Sequence, residues 1–439
     1  MLRSHLKDIF TAALSAVDGR EAVKRTLSLQ GDMLNVGPQS YDLTQFKNIY
    51  IIGAGKATHA MALGMEELLG ERITGGIINV RRGGTLPLKR VQVNEAGHPI
   101  PDEAGVRGTE EILGLVSGLR EGDLAICLLS GGGSALLVAP VEGVSLADKR
   151  LTTQLLLKSG ATIREVNAVR KHISRVKGGQ LAKAVHPATL ITLLISDVVG
   201  DHLDVIASGP TVPDPTTFAD ALGVIERYGL GGSLPRSVIS HLKAGLRGEV
   251  EETPKVFEAG RVEIIASNLT AVLAARKRAE ELGYQTLILS CKVEGEAREV
   301  ARFHASIAKE VLSSGNPLPP PACLISGGET TVTVKGRGTG GRNQELALAA
   351  AIELSGVEGI ALLAAGTDGS DGMTEAAGAF ADGRTVTRAL SLGLEPKRYL
   401  DDNNSHPFFQ ALGDLFITGP TNTNVMDLTL ILVGSVDTP

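Results

Sequence analysis

Apolar residues gather in short blocks along this chain, and five of the blocks end at a polar, glycine-marked turn. Asn48–Ile52 runs into Gly53-Ala54-Gly55-Lys56, and Leu124–Leu129 into Ser130-Gly131-Gly132-Gly133-Ser134. Leu190–Ile195 precedes Ser196-Asp197, and Ala322–Ile325 precedes Ser326-Gly327-Gly328-Glu329. Ile360–Ala365 precedes Gly366-Thr367-Asp368-Gly369-Ser370-Asp371. Unbroken apolar runs of this length predict buried parallel strands. Open α/β sheets bind ligands beyond the carboxyl ends of such strands. The pattern therefore predicts one polar cleft, rich in backbone N–H donors, with a lysine and several carboxylates around it, which suits phosphate.

Between these runs the apolar period lengthens to that of helices. Leu2–Val17, Lys56–Leu69, Thr109–Val116, Ser145–Leu157 and Thr162–Leu181 read as helices in the first half. Leu269–Leu282, Gly295–Leu312 and Asn343–Leu354 follow in the second. Gly75–Val80, Val262–Ala266, Thr330–Val334 and Leu428–Val433 add further strands. Lys243–Ala259 is polar and charged with Pro254 inside it, and reads as a linker. The expectation is an α/β protein of two domains, residues 1–250 and 251–439. Ser-Gly-Gly after an apolar run recurs at Ser130 and Ser326, which fits two lobes of similar design and equally fits chance in a glycine-rich chain.

Composition narrows the class. The 439 residues are 43% hydrophobic, with 3% aromatics and no Trp, so the core must be aliphatic. A formal net charge of −6 argues against nucleic acid as the main partner, because phosphate backbones select basic surfaces. Cys127, Cys291 and Cys323 lie in or beside apolar runs without a CxxC pair, the usage of small buried side chains in a reducing compartment. Met1–Phe10 lacks the apolar block of a secretory signal, and no stretch has the length of a membrane span. Cytoplasmic residence is the expectation, and a homodimer is expected only from the frequency of such assemblies.

Gly53-Ala54-Gly55-Lys56 opens a helix after a strand, and two readings stay open. A dinucleotide fingerprint needs a third glycine where Thr58 stands, and an acid at the next strand end, where Asn79, Arg81 and Arg82 stand. Arginines accept the 2′-phosphate of NADP, so a reductase remains an alternative. The other reading is an anion at a helix N-terminus, with Lys56 as a mobile charge. Ser130, Gly131, Gly132, Gly133 and Ser134 form a stronger signal, because successive glycines let N–H groups curl around an anion. The Gly-x-Ser-x-Gly elbow of a serine hydrolase is absent there. Asp197 sits at a strand tip as a metal or substrate ligand, whereas Asp201 and Asp204 read as solvated or structural. Lys335–Glu345 reads as a flexible phosphate-closing loop that pins Arg342 at a helix start. Asp368 and Asp371, three residues apart in a glycine-rich turn, offer oxygen ligands of the kind that suit Mg²⁺. His98, His172 and His406 read as core or surface histidines, with His98 in a loop within reach of substrate.

Taken in order, these stretches resemble the glycerate 2-kinases of the MOFRL family, whose members often carry the label hydroxypyruvate reductase. The resemblance spans nearly the whole chain. It rests on the segments beginning at Gly53, Gly97-His98-Pro99, Leu129, Ser196-Asp197 and Ala207-Ser208-Gly209-Pro210. It continues through Ser267-Asn268, Ser326-Gly327-Gly328-Glu329, Gly341-Arg342-Asn343, Gly366-Thr367-Asp368 and Thr418–Val425. Asn422 and Met426 depart from the family's usual glycine and asparagine. The resemblance implies ATP-dependent phosphorylation of D-glycerate at its 2-hydroxyl, with Mg²⁺. It implies a Rossmann-like, mostly parallel first domain, a smaller mixed-sheet second domain and an active site in the cleft between them. It carries functional roles onto Lys56, Asp197, Asn268, Arg342, Asp368 and Asn424. Ser130 to Ser134, Asn268 and Asn424 are then expected to hold ATP, and Asp197 or Asp368 the Mg²⁺. Lys56 and Arg342 would stabilise the moving phosphoryl group. Asp197 or Asp368 would accept the hydroxyl proton, and the sequence leaves that division open.

Overall fold

The computed structural model describes residues 1–83, 86–256, 260–434 and 436. The chain divides into two compact units, Gly19–Ile265 and Met1–Asp18 with Ala266–Pro439. All five apolar runs become strands.

In the first unit six strands lie in the order Gln92–Ala96, Gly75–Arg81, Asn48–Ala54, Asp123–Leu129, Thr189–Ile195, Arg261–Ala266. Numbered along the chain this is 3-2-1-4-5-6, the order of a doubly wound Rossmann-type sheet. The first five strands pair in parallel. Asp123–Leu129 is buried at every position, which explains its unbroken apolar character. The order reverses between Asn48–Ala54 and Asp123–Leu129, so the tips of these two strands form the topological switch point. A three-stranded antiparallel sheet, Leu27–Gln30, Met33–Val36 and Gln39–Asp42, precedes the main one.

The second unit carries a mixed sheet ordered Gln285–Val293, Ala322–Gly328, Asp427–Val433, Ile360–Gly366, Gly378–Asp382, Leu415–Phe416. Asp427–Val433 runs antiparallel to both neighbours, so Asp427 stands opposite Gly328 on one side and Gly366 on the other. Three strand ends thus meet at one edge of this sheet. Helix Leu2–Ala16 belongs to this unit: Phe10 stacks edge-on against Phe416, and Thr423 donates to the Val17 carbonyl at 2.7 Å.

Several elements differ from expectation. Thr330–Val334 forms no strand; Thr331 makes only an isolated bridge to Glu296. Its backbone contact is instead with the start of helix Ala297–Ser314, Thr331 donating to the Gly295 carbonyl at 2.8 Å and accepting from the Ala297 N–H at 2.9 Å. Thr162–Leu181 splits into Ile163–His172 and Gln180–Val185, because Gly178 and Gly179 adopt left-handed φ of 58° and 81°. Helix Arg236–Leu246 enters the expected linker, whose residues 257–259 lie outside the described ones. Cys127 and Cys323 are buried and all three cysteines are unbridged.

Candidate functional site

At the switch point of the first unit two turns are laced together. The Lys56 N–H donates to the Gly131 carbonyl at 2.8 Å, the Ala57 N–H to Ser130 Oγ at 3.0 Å, and the Ser130 N–H to the Ala54 carbonyl at 3.3 Å. Gly53 and Gly55 exist for this close approach. A Cβ on Gly53 would fall 2.0 Å from the Leu128 carbonyl, and one on Gly55 would fall 2.1 Å from Ser130 Oγ. The N–H groups of Lys56 and Ala57, just before helix Thr58–Leu69, are therefore spent on the neighbouring turn. Arg82, a candidate for an NADP phosphate, is paired with Asp102 at 2.5 Å, and Asn79 is buried, its amide on the Leu136 carbonyl at 2.9 Å. The dinucleotide reading is left with Arg82 in an ion pair and a buried asparagine at the strand end.

The triple-glycine bend behaves differently. Among the described residues the N–H groups of Gly131, Gly132 and Ser134 have no acceptor. Gly132 holds φ of 82°, and a Cβ there would lie 2.8 Å from His98 Nε2 and 3.4 Å from Lys56 Cγ. Lys56 and His98 thus lie beside the bend that carries these three donors, an arrangement fitted to an anion. The Ser130 hydroxyl is buried and structural, whereas Ser134 is half-buried with its Oγ 2.9 Å from Ser208 Oγ. Asp197 follows the Thr189–Ile195 strand and is half-buried. Asp201 and Asp204 border an open hollow of about 460 Å³ with His202, Leu203, Val212 and Lys255. Asp204 also lies 3.4 Å from the Lys171 ammonium.

In the second unit the chemistry is built from side chains at the converging strand ends. Arg342 opens helix Arg342–Glu353 and meets Asp427 twice, Nε to Oδ2 at 2.5 Å and Nη2 to Oδ1 at 2.9 Å. Its Nη1 lies 2.8 Å from Glu329 Oε1. Burial works against this charge, but Asp427 and then Glu329 outweigh it and hold the guanidinium above its ordinary range. Asp368 follows Ile360–Gly366, and its Oδ1 accepts from both the N–H and hydroxyl of Ser370 at 3.1 Å. Asp368 Oδ1 and Asp427 Oδ1 each lie 3.4 Å from where a Cβ on Gly366 would stand.

The expected pair Asp368 and Asp371 does not act together. Asp371 is buried at the start of the Arg342 helix, accepting from the Asn343 N–H at 3.1 Å and the Gln344 N–H at 2.8 Å. Burial pushes its carboxyl up to about 6, against the Gln344 donor and with the Asp427 charge. Asn268 is buried too, its amide on the carbonyls of Val425 at 2.8 Å and Asp427 at 3.0 Å. Its Oδ1 is buried without a partner. Asn424 is half-buried and accepts from the Met426 N–H at 3.1 Å. The glycine-rich loop before Arg342 is tied to the 402–404 turn: Gly338 donates to the Asp402 carbonyl, and Gly336 and Thr339 donate to Asn403 and Asn404. Its glycines permit close packing, since a Cβ on Gly336 would lie 2.2 Å from the Asp402 carbonyl.

Among the described residues no group of three or more His, Cys, Asp or Glu side chains is disposed to hold a metal ion. Mg²⁺ in nucleotide sites commonly takes one or two carboxylates and completes its shell with water and phosphate. The hard oxygens of Asp368 fit an ion of that kind.

Fold and sites together define an α/β protein with acceptor-free backbone donors at a Rossmann switch point and an arginine–carboxylate centre on a second sheet. Residues 5–243 match the family described as a domain of unknown function, DUF4147, and residues 322–427 match the MOFRL family. A glycerate 2-kinase of Pyrococcus horikoshii is 44% identical over 96% of this chain and 95% of its own. A crystal structure of glycerate kinase from Thermotoga maritima superposes with a TM-score of 0.86 at 42% identity, covering 98% of this chain and 99% of that one. A protein of Agrobacterium vitis called putative hydroxypyruvate reductase is 43% identical over 98% of this chain and 94% of its own. The chain belongs to the glycerate kinase family that these two matched regions make up.

Proposed function

We propose that this protein transfers the γ-phosphoryl group of ATP to the 2-hydroxyl of D-glycerate, giving 2-phosphoglycerate and ADP. The observation that carries this reading is the group of three acceptor-free N–H donors at Gly131, Gly132 and Ser134, flanked by Lys56. Such donors hold phosphate oxygens without side-chain reorganisation. The relatives named as glycerate kinases supply the substrate.

Phosphoryl transfer asks a protein for alignment and charge neutralisation more than covalent chemistry. The glycerate oxygen attacks the γ-phosphorus as the bond to the β–γ bridging oxygen breaks. Lys56 and Arg342 stabilise the negative charge spread over the moving group. Arg342 enters the reaction already oriented by Asp427 and Glu329. Asp197 or Asp368 accepts the hydroxyl proton. Mg²⁺, when bound with ATP, neutralises phosphate charge, and Asp197 or Asp368 supplies its protein oxygen. Ser130 serves by locking the cradle, and Asn268 by fixing the backbone on either side of Met426. Asn424 contacts the nucleotide. The protein acts in the cytoplasm, and as a homodimer.

A coupled ADP-release assay with glycerate, ATP and Mg²⁺ tests the activity, and phosphorus NMR separates the 2-phosphate from the 3-phosphate. Loss of NADPH absorbance with hydroxypyruvate and no ADP release would replace this reading with a reductase.

A further inference from the structure

Behind the triple-glycine bend the first unit buries an unbalanced set of cations. Lys177 is fully buried, and among the described residues its ammonium has one acceptor, the Ala207 carbonyl at 3.4 Å. Lys149 from helix Leu146–Lys158 is buried beside it, 3.2 Å from the Ile173 carbonyl and 3.4 Å from that of Arg170. These carbonyls end helix Ile163–His172, where a cation is favoured, so Lys149 has a structural reason to be there. Arg170 from the same helix buries its Nε without a partner. Lys171 is balanced, with Asp214 at 3.2 Å and Asp204 at 3.4 Å. Among the described residues Lys177 has no such carboxylate: burial first, then Arg170 and Lys149, hold its ammonium well below its ordinary range. A buried charge without a counter-ion is costly, and the fold offers Lys177 no evident compensation.

The contacts around Lys177 lead to the cradle. Ala207, whose carbonyl it holds, packs on Gly133, where an added Cβ would lie 2.9 Å from Ala207 Cβ. Ser208 touches Ser134 at 2.9 Å and donates to Asn167 Oδ1 at 3.0 Å. Ala207 and Ser208 both hold left-handed φ, 50° and 65°, a conformation costly for residues with a Cβ. Gly178 and Gly179 donate to the carbonyls of Ser208 and Gly209 at 3.0 and 2.8 Å. The segment carrying Lys177 therefore forms the backing of the anion cradle.

We propose that Lys177, surrounded by Lys149 and Arg170, is the buried counter-charge of the phosphate cradle: neutral when the bend is empty, protonated when an anionic ligand fills it. The proposal rests on the cradle reading above. Inside a protein the field of a bound phosphate is weakly screened and reaches the layer behind the loop. Binding then draws a proton into the protein. Lys177 is a positioning residue and touches no substrate.

The test is titration calorimetry of the full-length protein with MgATP at about pH 8, in buffers of different ionisation heat, since MgATP itself does not titrate there. The expected result is net proton uptake and an affinity that weakens as pH rises from about 7 to about 9. Lys177→Met should abolish most of the uptake and bind MgATP roughly 10-fold less tightly, with an unchanged or higher Tm because a side chain that must give up its proton to be buried is removed. Lys177→Gln provides the same readout should the Met variant fail to fold. Pure scaffolding predicts the opposite pattern: a lower Tm with unchanged affinity and uptake. A wild-type protein that binds and turns over MgATP with no proton uptake and pH-independent affinity overturns the proposal alone. One that does neither overturns the cradle reading instead.

Discussion

The two sheets present reactive edges of opposite construction. At the switch point of the first, the working groups are main-chain N–H donors, a lysine and buried cations. At the converging strand ends of the second, Glu329 and Asp427 pair with one arginine, Asp371 adds its charge, and Asp368 follows the end of the neighbouring strand. The first edge is made by backbone that only glycine can shape, and it welcomes negative charge. The second is made by side chains that restrain one another, and it is suited to a proton, a metal-borne nucleotide or a hydroxyl. Phosphoryl transfer needs both characters, and this chain keeps them on separate sheets.

The sharpest way to break this contrast is to remove one cation from each edge. Lys56→Ala and Arg342→Ala should each lower kcat roughly 10²-fold or more, the scale for losing a preorganised charge donor. Wild-type turnover by either folded variant, read by ADP release, would make that residue a bystander. Next comes the orientation of Arg342. Asp427→Ala removes two of its three ion-pair bonds and should lower kcat by roughly 10-fold to 100-fold with a smaller change in the KM for ATP. An equal loss in KM would assign Asp427 to ground-state binding.

Gly132→Ala probes the backbone edge. A Cβ at φ 82° and 2.8 Å from His98 should raise the KM for ATP by roughly 10-fold and cost about 1–2 kcal/mol of stability. Denaturant unfolding separates the two effects. The Asp371 carboxyl, pushed up to about 6, holds its proton better folded than unfolded. Its contribution is therefore complete at acidic pH and is lost as pH rises through about 6. The Tm of wild type relative to Asp371→Asn should fall over that window, and a constant difference would remove the linkage. The smallest expected effect lies in the loop before Asp427. Asn422 is exposed with φ of 56°, so Asn422→Gly should leave stability within about 0.5 kcal/mol and turnover unchanged.

The same contrast governs what the sequence discloses. The bend was legible because local backbone shape is written in adjacent letters: Ser130-Gly131-Gly132-Gly133-Ser134 announces a turn. Gly53 and Gly55 left two readings open, and only the fold shows their close approach to Leu128 and Ser130. The Arg342–Asp427 clamp joins residues 85 positions apart, and only the insertion of the last strand between two others brings them together. Nothing local marks Asp427 as the partner. Asp371 was misread for the same reason: its neighbour in sequence is Asp368, but its partners are Asn343 and Gln344. Gln285–Val293 escaped notice because it is an edge strand of half-buried residues, without the continuous apolar run of Asp123–Leu129. The signal for Lys177 was present in Lys177-Gly178-Gly179, a break in a helical period, and it read as uninterrupted helix.

The placement of Asp427–Val433 in the interior of its sheet has a consequence for biosynthesis. A ribosome that has released residues 19–265 has released everything the first unit is made of, so that unit can mature while translation continues. The second unit must keep its first helix waiting and its sheet open until the strand that begins at Asp427 emerges, because Ala322–Gly328 and Ile360–Gly366 are joined only through it. A nascent chain stalled before that point would carry a finished cradle and an orphaned arginine.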